Sequence, residues 1–247
     1  RGKRLGKIDV GSASADLYTY RRLDEVIGIG FGLKQSYFKI DGYSQVSTEL
    51  LETNFSGFTT STYGYLAIDS RDDAYIPNKG LYMKSRLSVI TDKGNFSDII
   101  PIFDFTLNTI TTLSDRVSIL GNLYHRSIFN EKNYPASYTN YASNSYSAFT
   151  DFNFPILGQG GISFLDRVST LGELGLRVDI GNKNYLTPKV QALMQFDKWG
   201  EIDVNNLKWS AGLTYQSKTR LGPIDFTLGF REKFKGVNFY GGVGYQF

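Results

Sequence analysis

Apolar and polar residues alternate along most of this 247-residue chain. The period is two, as in a β-strand with one apolar and one polar face, and no segment shows the period of an amphipathic helix. The pattern is clearest over residues 224–231, where four apolar residues alternate with polar residues or glycine: Ile224, Phe226, Leu228 and Phe230 against Asp225, Thr227, Gly229 and Arg231. The sequence therefore predicts an all-β fold.

The alternation and the turn residues between segments predict about twelve strands. They lie near residues 8–21, 25–40, 44–57, 59–71, 80–92, 96–112, 115–128, 169–180, 185–197, 208–220, 222–233 and 237–247. An even number of antiparallel strands suits an up-and-down barrel with both chain ends on one side. We expect residues 1–247 to form a single antiparallel up-and-down β-barrel domain.

One connection is about three times longer than any other, which marks it as functional or disordered. It runs from 129 to 168 and is rich in Tyr, Asn and Ser.

Composition narrows the chemistry. The chain has no cysteine, which excludes disulfides and thiolate metal sites. Its net charge of +3 is too small for a nucleic-acid partner. No run of about 18 apolar residues occurs, which excludes a membrane-spanning helix but not a membrane-spanning barrel. We expect no cofactor and no metal ion.

A soluble sandwich and a membrane barrel both bury one face of each strand. Two features favour the membrane barrel. A long series of hairpins needs closure to remove its sheet edges, and aromatic residues cluster near strand ends, as in the girdles at membrane interfaces. These aromatic residues are Tyr18, Tyr20, Tyr37, Phe38, Tyr185, Phe196, Trp199, Trp209, Phe230, Phe234 and Phe239. The predicted location is the bacterial outer membrane of a Gram-negative cell.

Three segments resemble the BamA-type bacterial surface-antigen barrels. The first is YLAIDSRDDAYIPNKGLYMKSRLSVI, residues 65–90, which is similar to a turn between two family strands. The matching elements are Asp69, Arg71, Asp72, Tyr75, Pro77, Lys79 and Gly80. The second is KWSAGLTYQSKTRLGPIDFTLGF, residues 208–230, which is similar to the family's penultimate hairpin.

The third segment is the terminal strand VNFYGGVGYQF, residues 237–247. In such barrels a terminal aromatic strand is the signal that the barrel-assembly machinery reads. The resemblance assigns that role to Phe239, Val243, Tyr245 and Phe247.

Within this superfamily, the segment TDFNFPILGQGGISFLDRVSTLGELGLRV, residues 150–178, resembles the barrels of patatin-like phospholipase autotransporters. The resemblance implies an outer-membrane barrel that anchors, and helps translocate, an amino-terminal passenger. It also implies that the 129–168 loop folds toward the lumen, where Phe154, Pro155 and Gly158 would lie. The implied partners are outer-membrane lipid, the assembly machinery and the chain's own passenger. The resemblance does not decide whether the chain also forms a homo-oligomer.

The sequence departs from the family in two respects. The Val-Arg-Gly-aromatic loop motif is absent from residues 129–168, which argues against a BamA-like insertase. The family barrel usually has sixteen strands, so the chain is either a fragment or a reduced barrel.

Two other functions remain open. A passive pore would have an open lumen. An integral phospholipase could use His125 and Ser127, which share a strand face. The chain has no Gly-x-Ser-x-Gly nucleophile motif, so we expect no catalytic activity unless a patatin-like domain precedes it.

The inward glycines Gly28, Gly30 and Gly32 predict either a close approach of a lumen plug to the wall or easier strand bending.

Overall fold

A computed structural model describes residues 6–44, 55–92, 99–129, 140–143, 152–159, 163–198, 200–201, 206–220, 222–231 and 237–243. These residues form fourteen β-strands. The strands are β1 (Gly6–Arg22), β2 (Ile27–Ser44), β3 (Phe55–Asp69), β4 (Gly80–Asp92), β5 (Ile99–Ser114), β6 (Val117–Ile128), β7 (Asn140–Ser143), β8 (Phe154–Pro155), β9 (Ser163–Leu165), β10 (Val168–Gly181), β11 (Asn184–Phe196), β12 (Lys208–Thr219), β13 (Gly222–Arg231) and β14 (Asn238–Val243). Among the described residues, no helix is long and apolar enough to cross a membrane.

Eleven of these strands form one antiparallel sheet in the order β1-β2-β3-β4-β5-β6-β10-β11-β12-β13-β14. Each strand pairs with the next, as the alternating sequence predicts for an up-and-down topology. The predicted separate strand at 44–57 is wrong, because β2 pairs directly with β3 from Ile27 opposite Ile68 to Ile40 opposite Phe55. Residues 45–54 of that segment lie outside the described residues.

The remaining three strands belong to the long connection between β6 and β10. They form a small sheet in the order β8-β7-β9, with β7 parallel to β8 and antiparallel to β9.

The large sheet has two chemically different faces. On the outer face, large apolar side chains are exposed: Leu174 by 63%, Val190 by 57% and Leu228 by 45%. On the inner face, the neighbouring Glu173 and Gln191 are buried. The predicted phase of these strands is therefore confirmed, and the apolar face is the one turned away from the other parts of the protein.

The connections at the two ends of the sheet differ in length. At one end, here called the short-turn end, the connections are 23–26, 70–79, 115–116, 182–183 and 220–221. At the other, the long-loop end, they are 45–54, 93–98, 129–167, 197–207 and 232–237. With the exception of 70–79, each connection at the short-turn end is shorter than every connection at the long-loop end. This asymmetry is typical of outer-membrane barrels, with the short turns in the periplasm.

The inner face carries charges that pair across strands. Arg86 on β4 lies opposite Asp104 on β5, which in turn lies opposite Arg126 on β6. The Arg126 Nε lies 3.3 Å from a carboxylate oxygen of Asp104. This arrangement of alternating sign across neighbouring strands stabilises the sheet without leaving a ring of one charge.

Tyrosine rings fill the space beside the inward glycines of β2. A Cβ atom at Gly28 would lie 2.2 Å from the Tyr20 hydroxyl, and one at Gly30 would lie 2.4 Å from the Tyr65 ring. The close approach predicted at these glycines is therefore made by side chains of the adjacent strands β1 and β3 rather than by a plug. Their rings stack, with the centroids of Tyr20 and Tyr65 6.3 Å apart.

This placement also corrects part of the predicted aromatic girdle. Tyr20 lies on the inner face, and so does Tyr185, whose ring is under the Arg177 guanidinium. Trp209, Phe230 and Phe239 do lie exposed on the outer face, at the long-loop ends of their strands. Trp199 and Phe234 lie outside the described residues.

Candidate functional site on the inner face

A hydrogen-bonded network of polar side chains crosses five adjacent strands on the inner face. The Asn108 amide donates to Asn122 at 2.9 Å, and the Asn122 amide donates to Glu173 at 2.6 Å. The other Glu173 oxygen accepts from Gln191 at 2.6 Å, and Ser210 donates to Gln191 at 3.0 Å. Because alternation places every second residue on this face, these side chains align across β5, β6, β10, β11 and β12.

Gln191 uses this network to hold a peptide segment by its backbone. We call residues 154–159, Phe-Pro-Ile-Leu-Gly-Gln, the inner segment. The Leu157 N–H donates to Gln191 Oε1 at 2.8 Å, and Gln191 Nε2 donates to the Pro155 carbonyl at 2.8 Å. The two N–H groups of the Gln191 amide thus donate to Glu173 and Pro155, and its oxygen accepts from Ser210 and Leu157. Because all four hydrogen bonds are made, the orientation of the amide is fixed.

Glycines let the inner segment lie directly against the sheet. A Cβ at Gly229 would lie 2.4 Å from the Gly158 nitrogen, and a Cβ at Gly212 would lie 3.2 Å from the Leu157 side chain. Gly158 itself has φ +74° and would bring a Cβ within 2.7 Å of the Phe230 backbone. This position requires glycine both for its conformation and for its space.

The inner segment is also held by an apolar cluster. Phe154 is fully buried and packs with Ile156, with Leu171 of β10 and with Leu193 of β11. Ala142 and Leu165 of the small sheet complete the cluster. Leu171 and Leu193 face each other in the register of the sheet and are apolar positions on an otherwise polar face.

The far end of the inner segment contacts β13 and β14. The Arg231 guanidinium donates to the side-chain oxygen of Gln159, and the Asn238 side-chain amide donates to the carbonyl of Gly158. The segment therefore spans the inner face from β10 to β14.

The structure thus brings Phe154, Pro155 and Gly158 together against the inner face. Sequence reasoning missed the residues that receive them, chiefly Glu173, Gln191 and Asn238. The sequence does contain a signal for this contact, because Leu171 and Leu193 are apolar residues at inner-face positions that are otherwise polar. Apolar side chains at such positions indicate that another part of the protein packs against them.

The turn-motif residues lie at the short-turn end, in the β3–β4 turn, residues 70–79. The Arg71 guanidinium makes two hydrogen bonds of 2.8 Å to the Asp69 carboxylate and lies 4.6 Å from the centre of the Tyr82 ring. Gly80 has φ +113°, and a Cβ there would lie 2.5 Å from the Ser70 carbonyl oxygen. The motif therefore fixes the course of the turn.

Two aspartates cap backbone amides inside this turn. Asp72 accepts from the N–H groups of Asn78 and Lys79 at 2.8 and 3.2 Å. Asp73 accepts from the N–H groups of Tyr75 and Ile76 at 2.9 and 3.0 Å. Partial burial acts to raise the pKa of Asp73, but its bonds to Lys218 and to these two amides outweigh it and lower the pKa to about 2.

The C-terminal residues are described only in part. Phe239 and Val243 lie on the outer face of β14 and are 66% and 69% exposed. Tyr245 and Phe247 lie outside the described residues.

His125 and Ser127 do form a hydrogen-bonded pair on the outer face. Nε2 of His125 lies 2.7 Å from the Ser127 hydroxyl, and Nδ1 lies 2.8 Å from the hydroxyl of Thr170. The group that orients the imidazole is thus a neutral hydroxyl instead of the carboxylate of a Ser-His-Asp triad. Ser127 is fully buried, so its hydroxyl is closed to a lipid substrate in this conformation.

No cluster of three or more His, Cys, Asp or Glu side chains that could hold a metal ion is found in the described ranges.

The sequence model of the OMP85 superfamily matches residues 4–247. This chain belongs to the OMP85 superfamily. No individually curated protein matches the sequence.

Solved structures of OMP85 barrels show the same fold. BamA from Haemophilus ducreyi lacking POTRA domains 1–3 superimposes with a TM-score of 0.65 at 12% identity. The match covers 95% of this chain and 53% of that one. CdiB from Acinetobacter baumannii superimposes with a TM-score of 0.61 at 11% identity, over 96% of this chain and 42% of that one. This chain therefore spans about half the length of the structures that it matches.

The predicted family, fold class and location are confirmed by these matches. The chain is an all-β, antiparallel up-and-down outer-membrane barrel of the OMP85 type. Its large sheet has eleven described strands, close to the predicted twelve, and β1 and β14 are the edges among the described residues.

Proposed function

We propose that this OMP85 barrel anchors an amino-terminal passenger of the patatin-like phospholipase type in the outer membrane and helps the passenger's polypeptide to cross it. The observation that carries the proposal is the contact between Gln191 and the backbone of the inner segment. This contact supports an inner face that binds polypeptide through its backbone groups.

These hydrogen bonds are made to backbone groups, so they do not depend on the chemistry of a bound side chain. Gln191 and Asn238 contact an N–H and two carbonyl groups that almost any polypeptide presents. A passing chain could therefore take the same hydrogen bonds once the inner segment moves aside.

These hydrogen bonds are weak enough for a passenger chain to replace the inner segment. A typical protein hydrogen bond contributes a net of about 0.5–1.5 kcal/mol, because water or another partner replaces it when it breaks. A passenger that offers the same groups would replace each lost bond, so displacement of the inner segment would need little net free energy from the hydrogen bonds themselves.

The resemblance supplies the other partners of the proposal. Outer-membrane lipid covers the apolar outer face, and the barrel-assembly machinery reads Phe239, Val243, Tyr245 and Phe247 at the terminal strand. The chemistry of the passenger would lie in the passenger domain, and the barrel would need no cofactor for its part.

The test uses a patatin-like passenger with an epitope tag joined ahead of Arg1, in cells that display the tag at their surface. Asn238→Leu removes a backbone contact from β14, and Gln191→Leu removes two from β11. Gln195→Leu is the matched control, because Gln195 shares the inner face of β11 with Gln191, without a hydrogen bond to the inner segment among the described residues.

We expect both contact variants to lower the displayed fraction of the passenger at equal amounts of folded barrel, and Gln195→Leu to leave it unchanged. Display that is equal in all three variants would contradict the proposed role of the inner face. A wild-type barrel that conducts like a wide porin, with the passenger left in the periplasm, would favour the passive pore.

A further inference from the structure

The β3–β4 turn contacts three other strands, two of which, β10 and β12, lie far from its own in the sheet. Lys218, at the short-turn end of β12, makes an ion pair with Asp73. The buried Arg177 of β10 donates a hydrogen bond to the Pro77 carbonyl oxygen. Thr112 of β5 donates to the carbonyl oxygen of Asn78 at 2.9 Å.

The order of strands makes these contacts informative. Four strands, β5, β6, β10 and β11, separate β4 from β12 in the sheet. At about 4.8 Å between neighbouring strands, a flat sheet would place β12 more than 20 Å from β4. The turn can touch both only if the sheet curves around it, so residues 70–79 cross the interior at the short-turn end.

The turn is also built to hold its shape. Asp72 and Asp73 cap four of its backbone amides, and Arg71 is fixed on Asp69. Ile76 is only 3% exposed, so the middle of the turn is packed and does not project into solvent. A mobile periplasmic turn would need neither feature.

We infer that the β3–β4 turn is a plug that closes the short-turn end of the lumen, and that the Asp73–Lys218 ion pair is the latch that holds it. The inference does not rest on the passenger, because a plug of this kind limits the passage of any solute. It is separate from the inner segment, which lies deeper on the faces of β10 to β14.

The latch can be opened without removing the caps. Asp73→Asn keeps a side-chain oxygen for the amides of Tyr75 and Ile76 and loses the charge that pairs with Lys218. Lys218→Ala removes the other partner. Lys183→Asn is the matched control, since it removes a lysine at the same end and asparagine tolerates the φ of 61° found there.

Access to the lumen can be measured because the chain has no native cysteine. Lys189→Cys places one thiol on the inner face of β11, beyond the level of Arg177. The measurement is the rate at which a bulky, charged maleimide labels this thiol in the folded, detergent-solubilised barrel. Resistance to heat denaturation in gel electrophoresis confirms that each variant is folded.

We expect Asp73→Asn, Lys218→Ala and their double variant to raise the labelling rate several-fold and to the same level, since all three remove one ion pair. Lys183→Asn should label as slowly as the parent. The inference is overturned if the latch variants label at the parent rate, or if the double variant shows the sum of two independent effects.

A second experiment tests the inference by locking the plug in place. In the Asp73→Cys, Lys218→Cys double variant, a short bis-methanethiosulfonate should join the two residues by forming one disulfide with each thiol and releasing two methanesulfinates. The link should lower the conductance of the barrel in planar bilayers, and a reductant should restore it. Each single-cysteine variant treated in the same way is the control. Equal conductance in the joined and reduced forms would overturn the inference.

Discussion

Leu157 donates its backbone N–H to the side chain of Gln191, 34 positions later in the chain, at 2.8 Å. The bond joins the long connection between β6 and β10 to the inner face of the sheet. Gln191 is in turn held by Glu173, which is buried and accepts from both Asn122 and Gln191. The inner segment is therefore seated on a rigid, fully bonded side chain, and its geometry depends on residues of five strands.

The two faces of β11 should tolerate charge very differently. Val190→Arg places a guanidinium on the exposed outer face at the centre of the strand, where arginine costs about 2–4 kcal/mol in outer-membrane barrels. Lys189→Arg places the same group one position away on the inner face, beside Glu173. Denaturant titrations of barrels folded in lipid vesicles should show the loss for Val190→Arg alone.

Val190→Leu controls for the change in volume and should be close to the parent. Equal losses for the two arginine variants would mean that the assignment of the faces is wrong.

Substitution of Gly30 should lower the stability of the barrel because the Tyr65 ring occupies the space beside it. Gly30→Ala brings a Cβ to 2.4 Å from that ring, and overpacking of this kind costs about 1–3 kcal/mol. Gly172→Ala is the control, since no atom lies within 4 Å of its added Cβ. It should be neutral or stabilise by about 0.4–1 kcal/mol through the unfolded state.

Unfolding titrations of the two single variants and of Gly30→Ala with Tyr65→Ser check this account. The loss in the double variant should be smaller than the sum of the two single losses. Strict additivity would exclude the clash as the cause.

The β3–β4 turn should loosen only in strong acid. The pKa of Asp73 is lowered to about 2 in the folded protein, against about 3.9 in an unfolded chain. A depressed pKa contributes stability that is complete above the unfolded value and is lost as the pH falls through the folded value. The caps and the ion pair should therefore hold at pH 5 and fail between about pH 4 and pH 2.

Amide hydrogen exchange of Tyr75 and Ile76, corrected for the intrinsic effect of pH, measures this loss directly. Their protection should fall over that interval in the parent and stay constant in Asp73→Asn, which has no carboxyl group to protonate. A parent whose protection is independent of pH would show that the Asp73 carboxylate does not hold the turn.

Most of the fold is readable from the sequence because a membrane barrel obeys a strict period of two. Outer positions such as Leu174, Val190 and Leu228 must meet lipid, and inner positions such as Glu173 need not, so alternation alone assigns the face of nearly every strand. The error at 44–57 has a related cause. β2 is 18 residues long, longer than the spans usual for such strands, and the alternation does not show where one strand stops.

The contacts on the inner face could not be predicted in the same way. Which residue receives the inner segment depends on strand register, and register sets Gln191 beside Glu173 although 18 positions separate them. The reach of the β3–β4 turn to Lys218 depends on the curvature of the whole sheet. The motif at Asp69, Arg71 and Gly80 indicates a defined turn, but nothing local in it indicates a partner 145 positions away.

The central claim is that a passenger polypeptide passes along the inner face of this barrel, and site-specific photocrosslinking tests it most directly. A photoreactive phenylalanine at Lys189 faces the lumen, and one at Val190, the next residue, faces lipid. With a tagged passenger stalled in transit by a folded domain, irradiation of whole cells should give a barrel–passenger adduct from position 189 and none from position 190. Adducts from position 190, or none from position 189 while the passenger reaches the cell surface, would contradict the claim.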